Sequence, residues 1–189
     1  MKIHLEKSAI RALGIAECFR KSVSGKSVLA GIVMRSDLVI DGCTYGYATL
    51  EGDDATESIL SMYRSLKRND INLMMVAGSV IASYNIVDSD KIFTEINVPV
   101  LNVTFKESEG LEPHIKRRFP KEWRSKLKAY KKMGERKSVM LHTGFAVFVR
   151  AVGMTQKESK KTLDKYTLQG AVPEPLRVAK LLARAKFIA

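Results

Sequence analysis

Apolar and polar positions change period several times along this chain, and each change marks an element. Residues 8–16 read as a first strand, with Ile10, Ala12 and Gly14 on one face and Glu17-Cys18-Phe19 at its carboxyl tip. A polar turn over residues 20–26 precedes a second strand at 27–34, carried by Val28, Leu29, Ile32 and Val33. Arg35-Ser36-Asp37 is too short for a crossover, so residues 38–50 return antiparallel as a third strand, with Asp41-Gly42 as a bulge or bend. The period then shifts to helical. Ala55, Ile59, Met62 and Leu66 form one apolar face, Asp54 and Glu57 have capping-box spacing, and Asn69-Asp70 stop the helix.

Two apolar runs follow, at 71–77 and 98–105, separated by a connector long enough for a loop and a helix. That pattern predicts a strand, a crossover and a parallel strand. Both runs are apolar at nearly every position, so helices must cover both faces of the sheet. Ligands of open α/β sheets gather at strand carboxyl ends, here Ala77-Gly78-Ser79 and Thr104-Phe105-Lys106.

After an irregular acidic stretch at 106–112, Phe119-Pro120 predicts a helix start with proline at its first position. Trp123, Leu127 and Tyr130 lie on one side of that helix, and Gly134 closes it. Residues 138–152 are strand-like, with two strands meeting near Thr143-Gly144. Thr155 and Glu158 form a second capping box, opening a helix through Tyr166, and Pro173-Glu174-Pro175 lead into a last helix from Leu176 to about Lys186. The order predicts a single α/β domain over residues 1–189. Its architecture is a ribonuclease H-like three-layer fold, a mixed five-stranded sheet with helices on both faces. A flavodoxin-like sheet is disfavoured because the first three strands have no helices between them.

Charge alters the picture. Residues 1–110 carry 12 Lys/Arg and 14 Asp/Glu, whereas residues 111–189 carry 20 and 6, so the whole net charge of +12 lies in the last part. A positive face of this kind suits a polyanion, nucleic acid first among them, or else a solubilising surface. The densest block comprises Lys116, Arg117, Arg118, Lys121, Arg124, Lys128, Lys131 and Lys132. Trp123 and Tyr130 share a helix face with Leu127 and read as core rather than as base-stacking rings. No apolar run is long enough for a membrane span, and the charged start, Met1 to Lys7, is no signal peptide; no membrane association and a cytoplasmic location are expected. Cys18 and Cys43 are expected to be buried free thiols.

Familiar chemistry motifs are absent. Gly25-Lys26-Ser27 lacks the opening glycine of a phosphate loop, since Arg20 stands there. His4, His114 and His142 have no metal-ligand spacing, and Ser79, Ser83 and Ser138 lack nucleophile-elbow glycines. Asp53-Asp54 reads as a helix start rather than a metal site.

Three segments resemble the endonuclease V superfamily, and more closely an uncharacterised archaeal family related to endonuclease V. They are Arg11-Ala12-Leu13-Gly14-Ile15-Ala16, Val76-Ala77-Gly78-Ser79-Val80-Ile81-Ala82-Ser83 with Val98-Pro99-Val100-Leu101-Asn102-Val103 after it, and Val172-Pro173-Glu174-Pro175-Leu176-Arg177-Val178-Ala179-Lys180. Glu51-Gly52-Asp53-Asp54-Ala55-Thr56 fits the block before that family's first helix. The resemblance implies phosphodiester hydrolysis by divalent metal held on carboxylates at the strand tips. It also implies four metal-side positions, which here are Ala16, Glu51, Ala77 and Lys180, so only Glu51 is acidic. The Pro-Tyr-x-Pro wedge of the superfamily is missing from residues 41–50.

Three functions follow as expectations. The first is a catalytically inactive, nucleic-acid-binding member of this superfamily that works through its basic C-terminal half, with no cofactor. The second is a nuclease with a site rebuilt around Glu51, Glu17 and Asp54, which alone would call for Mg²⁺. The third is a small-molecule or protein-binding module centred on residues 77–83.

Overall fold

Strand β1 (Arg11–Cys18) is buried on both faces, as its apolar sequence requires, and the rest of the sheet is laid down on either side of it. The computed structural model describes residues 10–20, 25–107 and 109–188. β2 (Lys26–Arg35) and β3 (Ile40–Thr49) continue from β1 as an antiparallel meander. Helix α1 (Ala55–Ser65) crosses to β4 (Leu73–Ala77), which pairs parallel with β1 on its other side. A small hairpin of β5 (Val80–Ile81) and β6 (Asn85–Ile86), then α2 (Ser89–Ile96), lead to β7 (Val100–Thr104), parallel to β4. Helices α3 (Glu112–Arg118) and α4 (Trp123–Lys132) follow. β8 (Lys137–Met140) and β9 (Ala146–Val152) form a hairpin, and α5 (Gln156–Tyr166) and α6 (Glu174–Ile188) close the chain.

The sheet order is β3-β2-β1-β4-β7-β9-β8. The five-stranded mixed sheet is thus present and is extended to seven by the β8–β9 hairpin, whose β9 runs antiparallel to β7. Leu13, Ile15, Met74, Val76 and Val100 pack on Ile59, Leu60 and Ile92 of α1 and α2. Ala12, Leu73, Met75 and Leu101 pack on Leu163 and Tyr166 of α5 and Leu176 of α6. Alternation along each strand feeds the two layers. α6 approaches the sheet closely at Gly14, where an added Cβ would lie 2.5 Å from the Pro175 backbone.

Several boundaries differ from the sequence reading. β1 extends to Cys18, so Glu17 lies inside the strand rather than past its tip. The start of the expected strand at residues 8 and 9, the N-terminal segment with His4, and residues 21–24 of the polar turn lie outside the described residues. Phe119-Pro120 does not open a helix but joins two, with Pro113 in the first turn of α3. The Asp54–Glu57 capping box does not form, because the Asp54 carboxylate is used elsewhere. The Thr155–Glu158 box does form, and Gly134 ends α4 with φ +71°. The bulge is present: Val33 pairs with Gly42 and Met34 with Ile40, leaving Asp41 as the extra residue. Cys18 and Cys43 are free thiols, but Cys18 is half-buried and Cys43 is exposed on edge strand β3.

Candidate nucleic-acid interface at the strand ends

β1, β3, β4 and β7 point the same way, so their carboxyl ends share one rim. Alternation sends Ala16 and Glu17 to opposite sides of it. Ala16, 3% exposed, packs on the α6 side with Ala179, and Ala77 packs against the same cluster. Lys180, one residue along α6, donates from Nζ to the Glu17 carbonyl oxygen at 2.6 Å. The Glu17 carboxylate faces the other side, where it accepts from Ser27 Oγ and from the Ala82 backbone N–H, each at 2.7 Å. Burial pushes its pKa up, against those two bonds and the Lys180 charge.

Glu51 follows β3 with φ +61°, a left-handed conformation that turns the chain sharply. Its carboxylate receives the Arg118 Nε–H at 2.9 and 3.0 Å, and its backbone N–H donates to the Ala82 carbonyl at 2.7 Å. Ala82, Ser83 and Tyr84 are left-handed in succession, with φ of +45°, +51° and +75°. Asp54 accepts from the Thr49 N–H and hydroxyl and from Asn85 Nδ2. Asn85, fully buried, caps α1 by accepting the Ala55 N–H at 3.0 Å and also donates to the Thr49 carbonyl. These bonds hold the Asp54 pKa below its usual value despite burial, the largest single influence, which acts in the opposite direction.

The donor set does not fit a catalytic divalent cation. Such an ion needs several hard oxygen donors converging on one point. Ala16 and Ala77 offer methyl groups, and Lys180 brings a positive charge to the same rim. Glu17 is turned to the opposite face, Glu51 is paired with Arg118, and Asp54 is engaged by Thr49 and Asn85. Among the described residues, no three His, Cys, Asp or Glu side chains gather to hold a metal.

The same rim carries positive charge. α3 and α4 dock across it: Arg118 on Glu51, Lys126 on Asp53 at 2.7 Å and on the Gly52 carbonyl at 3.1 Å, and Lys132 on Asp88 at 2.7 Å. Lys126, 4% exposed and lying over the Phe119 ring, is the buried anchor. Phe119 meets Tyr84 edge to face at 5.4 Å. Of the eight basic residues singled out in the sequence, Arg118, Lys131 and Lys132 are engaged in ion pairs. Lys116, Arg117, Lys121, Arg124 and Lys128 are exposed with no carboxylate partner among the described residues. Lys116 and Arg124 flank the half-buried Trp123 ring, at 5.4 and 5.2 Å from its centre. Leu127 is the buried member of its stripe; Trp123 and Tyr130 are not fully core.

Sequence reasoning missed Arg150. It is the charged position inside the apolar run of β9, and that interruption was the available signal. It donates to Ser79 Oγ at 3.0 Å and to the Gly134 carbonyl at 2.7 Å. Together with Arg136 and Tyr130 it lines a hollow of about 430 Å³ over the ends of β4 and β7. A second hollow of about 240 Å³ lies on its other side, between α2 and α4.

Known proteins match this arrangement over nearly its whole length. A UPF0215 protein of Pyrobaculum aerophilum is 32% identical over 173 residues, covering 92% of each chain. A UPF0215 protein of Thermococcus gammatolerans is 27% identical, covering 95% of this chain and 93% of its own. A solved Archaeoglobus fulgidus protein of unknown function superposes with a TM-score of 0.79 at 24% identity, over 94% of this chain and 98% of that one. Endonuclease V of Streptomyces avermitilis gives 0.67 at 12% identity, over 96% and 82%, and supports the ribonuclease H-like fold alone. The chain belongs to the family described as Endonuclease dU, whose profile matches residues 8–187.

Proposed function

We propose that this chain binds nucleic acid along the exposed basic face of α3 and α4 without cutting it by metal-assisted hydrolysis. The observation that carries this reading is the chemistry of one rim: methyl and ammonium groups occupy the ends of β1 and β4 on the α6 side, and a cationic helix pair is docked on Glu51, Asp53 and Asp88 at the same end of the sheet. Lys116, Arg117, Lys121, Arg124 and Lys128 are positioned to contact phosphates, which fixes a strand without reading its sequence. Endonuclease V of Ciona intestinalis, solved in complex with inosine-containing DNA, has the same fold and supports a nucleic-acid partner. The experiment is fluorescence anisotropy with single-stranded DNA, duplex DNA and RNA across about 50–200 mM salt. Affinity should fall with a log–log slope of roughly −3 to −5, set by about five neutralised phosphates. Absence of salt-sensitive binding to all three refutes the reading.

The family description favours a second reading, cleavage of deoxyuridine-containing DNA. In this chain it would depend on Glu51, Glu17 and Asp54, and Arg118 would have to release Glu51. Incubation of a deoxyuridine-containing duplex with the protein and Mg²⁺ or Mn²⁺ tests it. Cleavage abolished by Glu51→Ala supports this second reading over the first. Cleavage that survives the change is chemistry from elsewhere.

A further inference from the structure

Among the described residues, Arg150 is a cation without a counterion. It stands opposite Asn102 in the β7–β9 ladder, and its guanidinium is half-buried. Its contacts are neutral: Ser79 Oγ, the Gly134 carbonyl and the Tyr130 hydroxyl. No carboxylate lies within ion-pair distance of it among the described residues. Burial first, and then the like charge of Arg136, pull its pKa below the ordinary arginine value, opposed by Tyr130. A half-buried charge of this kind is costly unless something negative completes it.

The surroundings indicate what that is. Arg136 lines the same hollow, held by Thr104 Oγ1 at 3.1 Å, by the Lys106 carbonyl at 3.3 Å and over the Phe148 ring. The Arg150 guanidinium has five N–H groups and spends only a few on its neutral neighbours, so donors remain for a ligand, and the charge of Arg136 stands beside it. The rest of the wall is largely apolar, through Val80, Val103, Phe105 and Leu111, with Glu107 as its acidic residue. We propose that Arg136 and Arg150 form a recognition site for a phosphate monoester, carried on the end of a nucleic-acid strand or on a free nucleotide. A monoester bears close to two negative charges and matches two arginines, whereas a mid-strand diester bears one. The apolar wall accepts the attached nucleoside. For a strand end, the inference rests on the nucleic-acid reading above; for a free nucleotide it does not.

The test compares one single-stranded sequence carrying a 5′-phosphate, a 3′-phosphate or hydroxyls at both ends, by anisotropy, with calorimetric titrations of inorganic phosphate and of a mononucleotide. One phosphorylated end should bind about tenfold more tightly than the hydroxyl strand, or else the nucleotide should bind by itself. Arg150→Gln and, separately, Arg136→Gln should remove that gain and leave hydroxyl-strand binding within about twofold. If Arg150→Gln loses its native thermal transition, Arg136→Gln carries the comparison. Equal affinity for all three strands with no small-phosphate binding overturns the site while leaving the basic-face reading intact. A preference that survives both substitutions also overturns it. Nucleotide binding without any strand binding supports the site and refutes the basic-face reading.

Discussion

The Lys180 ammonium donates to the Glu17 carbonyl across 2.6 Å, joining α6 to the end of β1 where related enzymes are expected to hold a cation. The bond fixes a positive charge at that strand end. On the proposed reading, acids at these positions should confer a response to divalent metal. Ala16→Asp/Ala77→Asp/Lys180→Asp should be less stable than the parent in chelator, by more than about 3 kcal/mol, because Ala16 sits in a closed apolar cluster. Mn²⁺ should raise its melting temperature by several degrees and leave the parent unchanged. Identical responses of the two proteins to Mn²⁺ would count against the assignment of these positions.

Asn85 joins three elements through one buried amide: it caps α1, donates to β3 and holds Asp54. Asn85→Ala strands the Ala55 N–H and frees the Asp54 carboxylate. A loss of about 2–3 kcal/mol is expected, read from the denaturant midpoint with an unchanged slope.

Gly14→Ala tests the closeness of α6 to the sheet. The new methyl would meet Pro175 backbone atoms at 2.5 and 2.6 Å, and a helix start cannot rotate aside as a flexible side chain can. Destabilisation of about 1–3 kcal/mol is expected in thermal or urea unfolding. A neutral result would mean that α6 rides further from β1.

Two carboxyl groups give opposite pH responses. Hydrogen bonds from Arg11 and then Arg68 hold the Asp41 pKa at about 2, below its usual 3.8. Its stabilisation is therefore complete above pH 3.8 and is lost as pH falls through about 2. Asp41→Asn should flatten the stability profile in that acid range. Glu17 has its pKa raised above 4.5, so the unfolded chain releases that proton first and stability declines as pH rises beyond 4.5. Glu17→Gln can still accept from Ser27 and Ala82. It should match the parent in acid and exceed it at alkaline pH, as measured by urea midpoints.

The sheet was legible because its pattern is local. Apolar runs at β1, β2, β4 and β7, the short β2–β3 connection and the Asp41 bulge are all written in neighbouring residues. Long-range competition was not legible. Asp54 has the spacing of a cap, but Thr49 and Asn85 claim its carboxylate and Asn85 takes over the capping. Glu17 is one residue from a tip in sequence, yet strand alternation aims it away from Ala16 and Ala77. Nothing beside Arg150 in the chain announces the residues it meets, since Ser79, Tyr130 and Arg136 come from other elements.

The three left-handed residues between β5 and β6 cost roughly 1–2 kcal/mol each. That turn returns two bonds, since the Ala82 N–H reaches the Glu17 side chain and its carbonyl receives the Glu51 N–H. One residue's peptide groups thereby clasp the ends of β1 and β3 together. In this chain the backbone itself ties the knot between the two strands, so the geometry of the rim is built into a single turn.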